Sequence, residues 1–302
     1  MAFLYALPGA VAEGLIWGLV AIGVYISYKI LDIADLTVDG SICTGACICA
    51  VLLGLGVPAW ISVLVALVAG ALTGTVTGLL HTFLGIPSIL AGILTQLMLY
   101  SVNLLILGGK SLMAIDPRAN ELLVHMSRNN GSIVSLIIIV VGVIFSLYQF
   151  FYTEVGLTLK STGDNPDMSR AQGVDVNRNK VVGLAIANGI VALAGALLAQ
   201  YKGSANINDG RGAIVIALAA IFIGLSVSLK IKPNFVVSLI GVVCGAVVYY
   251  IVYNFVILMG LKTDYLKMLS AIIVALFLGI PYVKSAYFTK RKTPQAGGKA
   301  DA

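Results

Sequence analysis

The 302-residue sequence is 59% hydrophobic and only 11% charged, with a formal net charge of +6, and its mean hydropathy is +1.01. A soluble domain carries about 25% charged residues, so this chain has too little polar surface to face water on all sides, and a soluble enzyme or nucleic-acid module is excluded. Continuous apolar runs such as Ile133–Phe151 indicate helices in lipid, because a spanning β-barrel alternates polar and apolar residues.

A helix needs roughly 20 apolar residues to cross a bilayer, and about nine runs of that kind (eight to ten, given soft ends) make this an all-α polytopic membrane protein. In chain order they lie near Pro8–Tyr28, Gly40–Gly56, Ala59–Phe83, Ser88–Leu107, Ser132–Tyr152, Val181–Tyr201, Ala213–Leu229, Asn234–Met259 and Leu266–Val283. The first has no basic start of the cleaved-signal kind and reads as a retained span. The second is short and flanked by glycine, which leaves a full crossing and a broken or re-entrant one both open. Cys43, Cys47, Cys49 and Cys244 fall inside apolar runs without zinc-site spacing and read as packing residues.

Within the spans, polar side chains are the candidates for a solute path, because they are costly in lipid. Asp32, Asp35 and Asp39 follow the first span and read mainly as an exposed turn, with Asp39-Gly40 as the pathway candidate. Gln96 and Tyr100 share a helix face at i, i+4, and Asn103 lies one turn on. With Asn188 they complete the pathway set, although hydrogen bonding between helices is the competing role. His81 is weighed the same way.

The basic residues orient the chain. Lys29, Lys160, Arg170, Arg178, Lys180, Lys230, Lys232 and the tail lysines and arginine from Lys284 to Lys299 fall on one side. Lys110, Arg118, Arg128, Lys202, Arg211, Lys262 and Lys267 fall on the other, poorer side. The richer side is expected to be cytoplasmic, which puts the N-terminus outside, the C-terminus inside and the loop 154–180 inside. Residues 1–283 then form one transmembrane domain, and residues 284–302 form a basic, disordered cytoplasmic tail.

An internal repeat is also visible. Asp39-Gly40 and Asp209-Gly210 each open an apolar run that reaches a glycine, Gly54 or Gly224. Each run is followed by a proline, Pro58 or Pro233, and then by Gly70 or Gly245, and Tyr-Lys pairs at 28–29 and 201–202 precede both. Repeat one, about 8–107, thus corresponds to repeat two, about 181–283, with one span between. An odd number of crossings per offset inverts the second copy, as in many transporters.

The loop holds the sharpest local signal, Gly163-Asp164-Asn165-Pro166-Asp167-Met168-Ser169-Arg170-Ala171-Gln172-Gly173-Val174. Asn165 suits an N-cap, Pro166 the first helical position, and Asp167 the positive end of the dipole. Gly173 suits the left-handed stop. A short, stiff helix exposed to the cytoplasm is expected, with Met168 and Ala171 as its apolar face, shaped to press into a partner.

This stretch resembles the coupling loop of ABC importer permeases of the branched-chain amino acid and ribose type, in which a Gly-x-Asn-Pro-x-x-Ala-Arg-x-x-Gly-Val run joins two spans. Gly163, Asn165, Pro166, Arg170, Gly173 and Val174 match, and Ser169 stands where alanine is usual. Asn177–Ala199 and Gly210–Gly224 resemble the family's following spans. Asp35-Leu36-Thr37-Val38-Asp39-Gly40-Ser41 resembles a short subgroup linked to tryptophan or tyrosine uptake. The resemblance implies a permease subunit in the bacterial plasma membrane, paired with a second copy, with a cytoplasmic ATPase dimer carrying ATP and Mg, and with an extracellular binding protein that delivers the solute. Gly163, Asn165, Pro166, Asp167, Met168, Arg170, Ala171 and Gly173 would be the ATPase-coupling residues. No cofactor, catalytic residue or metal site is expected on this chain. A phosphate-binding loop needs glycine, four residues, then Gly-Lys-Ser/Thr. Gly109-Lys110-Ser111 comes nearest, but Leu104 occupies the first glycine's place. The competing function is an ion-gradient-driven secondary transporter, which shares the repeat but needs a charged residue near the midplane.

Overall fold

The structure is a computed structural model that describes residues 2–116, 122–126, 129–228 and 234–258, with isolated helical residues at 268, 271, 272, 275 and 279. The expected ninth span Leu266–Val283, the basic residues Arg118, Arg128, Lys230, Lys232, Lys262 and Lys267, and the tail lie outside the described residues, as does Pro233.

Among the described residues ten α-helices follow one another: α1 Ala2–Tyr25, α2 Val38–Gly54, α3 Ala59–Thr82, α4 Ser88–Ile106, α5 Asn129–Phe151, α6 Glu154–Asp164, α7 Pro166–Ala171, α8 Val176–Lys202, α9 Ala213–Ser228 and α10 Phe235–Leu258. Six of the helical segments are long and apolar enough to cross a membrane, and the apolar α2 and α9 are shorter. At 17 residues, α2 is about 25 Å long, less than the roughly 30 Å of bilayer hydrocarbon. The expected second span thus holds a helix a little shorter than the hydrocarbon core, preceded by an irregular segment.

What precedes α2 explains its length. The end of α1 widens into a π turn, Ile26–Ile30, and Asp32 takes a left-handed conformation (φ 55°) that stops it. Residues 32–35 then run without regular structure. The Asp35 carboxylate accepts the Thr37 amide at 2.9 Å, an Asx-type turn that leads into α2.

Helices α1 and α8 form the buried axis of the bundle. They run antiparallel, with Gly9 beside the Tyr201 hydroxyl and Gly23 against Ala187 and Val191. Helix α3 lies antiparallel on α8 along a seam of small residues. A Cβ at Gly70, Gly74 or Gly78 would meet Asn188, Leu184 or Val181, the close backbone approach that lets helices associate in lipid. Helix α10 lies in the same way on α1, with Gly14 against Val247 and Gly18 against Val243. The third helix of each sequence half thus packs on the first helix of the other. Gly70 and Gly245 are not in matching places, however, because Gly245 packs within its own half, on Ala220 and Gly224 of α9.

A two-stranded antiparallel ribbon, β1 Leu112–Ala114 with β2 Ser204–Asn206, joins the loops after α4 and α8 at one end of the bundle. Helices α6 and α7 lie at the other end.

Candidate functional site: an interior cavity and a capped loop

The loop folds as its residues dictate. The Asn165 side chain accepts the Met168 amide at 3.0 Å, and Pro166 sits in the first turn. The chain leaves through Gly173 at φ 82°, whose amide donates to the Arg170 carbonyl at 3.0 Å. Asn165, Pro166, Asp167, Met168, Arg170, Ala171 and Gly173 are exposed. Arg170 and Asp167 approach to 3.6 Å across open solvent.

Ser169 turns inward. Its hydroxyl shares its one proton between the Asn165 carbonyl at 2.9 Å and the Ser161 hydroxyl at 3.3 Å, so it pins α7 to α6. Gly163 also faces inward. A Cβ there would strike the carbonyl of Ile30 in the π turn of α1. The loop is thus seated directly on the end of α1, which the sequence did not indicate. Asn179 of α8 donates to Thr162 at 3.0 Å and holds α6 from the other side.

From that seat a buried polar chain runs inward. The Asp35 carboxylate accepts the Asn188 side-chain amide at 2.6 Å. The Asn188 carbonyl oxygen accepts the Ser41 hydroxyl at 2.7 Å, and Ser41 pairs with Thr73 at 2.7 Å. Thr37 pairs with Thr77 at 2.7 Å, and Thr77 donates to Thr95 at 3.0 Å. The reading of the three aspartates as an exposed turn is corrected here: only Asp32 is exposed, Asp35 is buried, and Asp39 is partly buried. His81 is structural, held between the Ile86 carbonyl at 2.8 Å and Lys180 at 3.4 Å.

Above this chain lies a cavity of about 400 Å³ lined by Asp39, Gly40, Cys43, Gln96, Leu97, Tyr100, Asn103, Ile207 and Arg211. Five pathway candidates, Asp39, Gly40, Gln96, Tyr100 and Asn103, come together here. Asn188 does not line it and belongs to the hydrogen-bonded chain instead. Asp39 also has a role that the sequence hid. Its two carboxylate oxygens accept the amides of Gly212 at 2.8 Å and Ile214 at 3.0 Å, so the start of α2 caps the start of α9. The backbone of Gly210 packs against Asp39, which brings the two Asp-Gly pairs into contact. A wider cavity of about 720 Å³ among α3, α5 and α8 includes Thr75 and Ser146 in its lining. Their hydroxyl protons are donated to carbonyls of their own helices, and the rest of the lining is apolar.

The comparison with known proteins decides the family. A family described as branched-chain amino acid transport system / permease component matches residues 9–279. The chain belongs to this family. It is 36% identical over 270 residues to a tyrosine transport system permease protein of Clostridioides difficile, covering 88% of each chain. It is 32% identical over 285 residues to an uncharacterized protein of Rickettsia prowazekii, covering 91% of this chain and 96% of that one. The ribose import permease of Escherichia coli is more distant, at 23% over 244 residues, covering 80% of this chain and 75% of the relative. No solved structure matches. As a member of this permease family with several apolar helices of spanning length, the chain is a multi-pass protein of the cytoplasmic membrane.

Proposed function

We propose that the chain is the membrane-spanning subunit of an ATP-binding-cassette importer that moves an amino acid, with an aromatic one favoured. The observation that carries this reading is the seating of the exposed, capped α7 on the π turn of α1 through Gly163 and Ile30. Force applied to α7 has a packed route: Gly163 to Ile30, then through the linker to Asp35, and on to Asn188, Ser41 and the cavity. A stiff element with a route to the solute path is what a protein driven by a separate engine needs. The engine is a pair of cytoplasmic ATPase chains that hold ATP and Mg, and Met168, Arg170 and Ala171 form the contact face. Two permease copies of the same sequence and an extracellular binding protein complete the assembly. The tyrosine permease relative supports the amino-acid class. The reading includes nine spans, the N-terminus outside and the C-terminus inside. It also includes an inverted 4+4 repeat, which the crossed packing of α3 on α8 and α10 on α1 supports.

The test is reconstitution with the neighbouring gene products. An ATPase chain is expected to copurify, and ATP is expected to drive uptake. Arg170→Glu is expected to reduce uptake by about tenfold, a loss near 1.4 kcal/mol of coupling contact. Failure of any ATPase to copurify, together with full uptake in Arg170→Glu, would sink the reading.

The buried Asp35 gives the ion-gradient alternative a specific residue, because a carboxylate inside a bundle is where ion coupling would reside. Uptake that outlives ATP depletion and collapses with an ionophore would favour it.

A further inference from the structure

We propose that the cavity between α2, α4 and the 207–212 loop is an amino-acid zwitterion site, with Arg211 receiving the carboxylate and Asn103 Oδ1 the ammonium. This rests on the importer reading above and adds to it the chemistry by which this chain itself holds the solute.

Among the side chains that line the cavity, two sets are already committed. Each carboxylate oxygen of Asp39 already accepts one backbone amide, from Gly212 and Ile214. The Cys43 thiol donates to the Ile207 carbonyl at 3.3 Å and accepts the Gly210 amide at 3.1 Å. Asp209, the nearest acid in sequence to Arg211, is engaged by Lys202 at 3.6 Å. Among the described residues Arg211 therefore has no ion pair. A guanidinium beside a cavity, with the local carboxylates spent elsewhere, is a receptor for a carboxylate, which it can bind bidentately.

Asn103 supplies the second, independent observation. It is 1% exposed, it lines the cavity, and its Oδ1 has no hydrogen-bond partner. A buried acceptor left unpaired costs about 1–3 kcal/mol, so natural structures rarely keep one without use. That oxygen is shut off from the cavity as it stands, and a turn of the Asn103 side chain would bring it to an ammonium donor there. Gln96 and the Tyr100 hydroxyl, also without partners among the described residues, add polar capacity between the two poles. Leu97, Ile207 and the Tyr100 ring offer apolar surface for a side chain. The volume of about 400 Å³ suits one small solute, since ligand pockets begin near 300 Å³. A neutral sugar would leave the guanidinium unanswered.

The experiment uses the assembled transporter in liposomes, with radiolabelled tyrosine on the binding-protein side, and measures uptake and ATP hydrolysis together. Arg211→Gln is expected to lower uptake about tenfold to a hundredfold, as for loss of a hydrogen bond to a charged group, while ATP hydrolysis stimulated by the loaded binding protein continues. Arg211→Lys is expected to restore part of the uptake, and Asn103→Leu to raise the KM for uptake. Arg211 is exposed, so its substitution spares the fold, which gel filtration of the complex checks. Tyrosine uptake at the wild-type rate in Arg211→Gln would overturn this proposal alone. A wild-type complex that moves no amino acid under ATP, or that moves ribose instead, would overturn it together with the importer reading.

Discussion

At the residue scale, Asn188 bears more of the fold than its place in an apolar helix suggests. It donates to Asp35 and accepts from Ser41, so its loss strands a buried carboxylate oxygen and leaves the Ser41 hydroxyl with Thr73 alone. Removing one partner of a buried pair leaves the full desolvation penalty on the other. Asn188→Leu is expected to lower stability by about 3 kcal/mol or more, seen as a drop in the thermal midpoint in detergent. A midpoint unchanged from wild type would show that Asp35 has another donor. The sequence offered Asn188 as a pathway residue because it shows only that an amide sits among apolar neighbours. Its partner stands 153 positions away, and nothing local marks the pairing. Gln96, Tyr100 and Asn103 were legible because they share one helix, where spacing fixes direction. Arg211 and Ile207 were not, because they sit in a loop whose inward course depends on the Asp39 cap.

At the scale of elements, the loop was read almost completely from its residues, since caps are local chemistry. Asn165, Pro166 and Gly173 do what their side chains and backbone preferences dictate. What stayed hidden was the inner side of the same loop, Ser169 on Ser161 and Gly163 on Ile30, because those contacts lie between elements. The two kinds of residue should separate in experiment. Asn165→Ala removes the cap and is expected to cost about 1 kcal/mol. Asp167→Ala breaks only an exposed ion pair and is expected to change stability by less than about 0.5 kcal/mol. Paired thermal unfolding curves check both, and a larger loss in Asp167→Ala would mean that the ion pair is part of a wider network.

At the scale of the whole molecule, composition alone gave the solvent, and the outward faces agree with it. Trp60, Leu64, Val68 and Leu72 on α3, and Ile138, Val141 and Phe145 on α5, are exposed, as expected where lipid rather than water is the neighbour. The count of crossings was less legible. Helix α2 alone is shorter than the hydrocarbon core, and hydropathy does not distinguish a full helical span from a shorter helix reached by a strand-like leg. The ribbon β1–β2 and the loop α6–α7 lie at opposite ends, which makes orientation testable with single cysteines in a cysteine-free background. Lys110→Cys is expected to react with a membrane-impermeant maleimide in whole cells, and Met168→Cys only after lysis. The reverse pattern would invert the orientation drawn from the basic residues.

The Asp39 cap has a mechanical meaning. Opening a gap between α2 and α9 would break two hydrogen bonds to one carboxylate together. Those two helix starts therefore behave as a single rivet through both halves of the chain. Any rocking of one half against the other must pivot around this fixed point, and the compliance must come from elsewhere. The π turn at Ile26–Ile30, on which Gly163 of the α6–α7 loop is seated, is where a push on that loop would meet it.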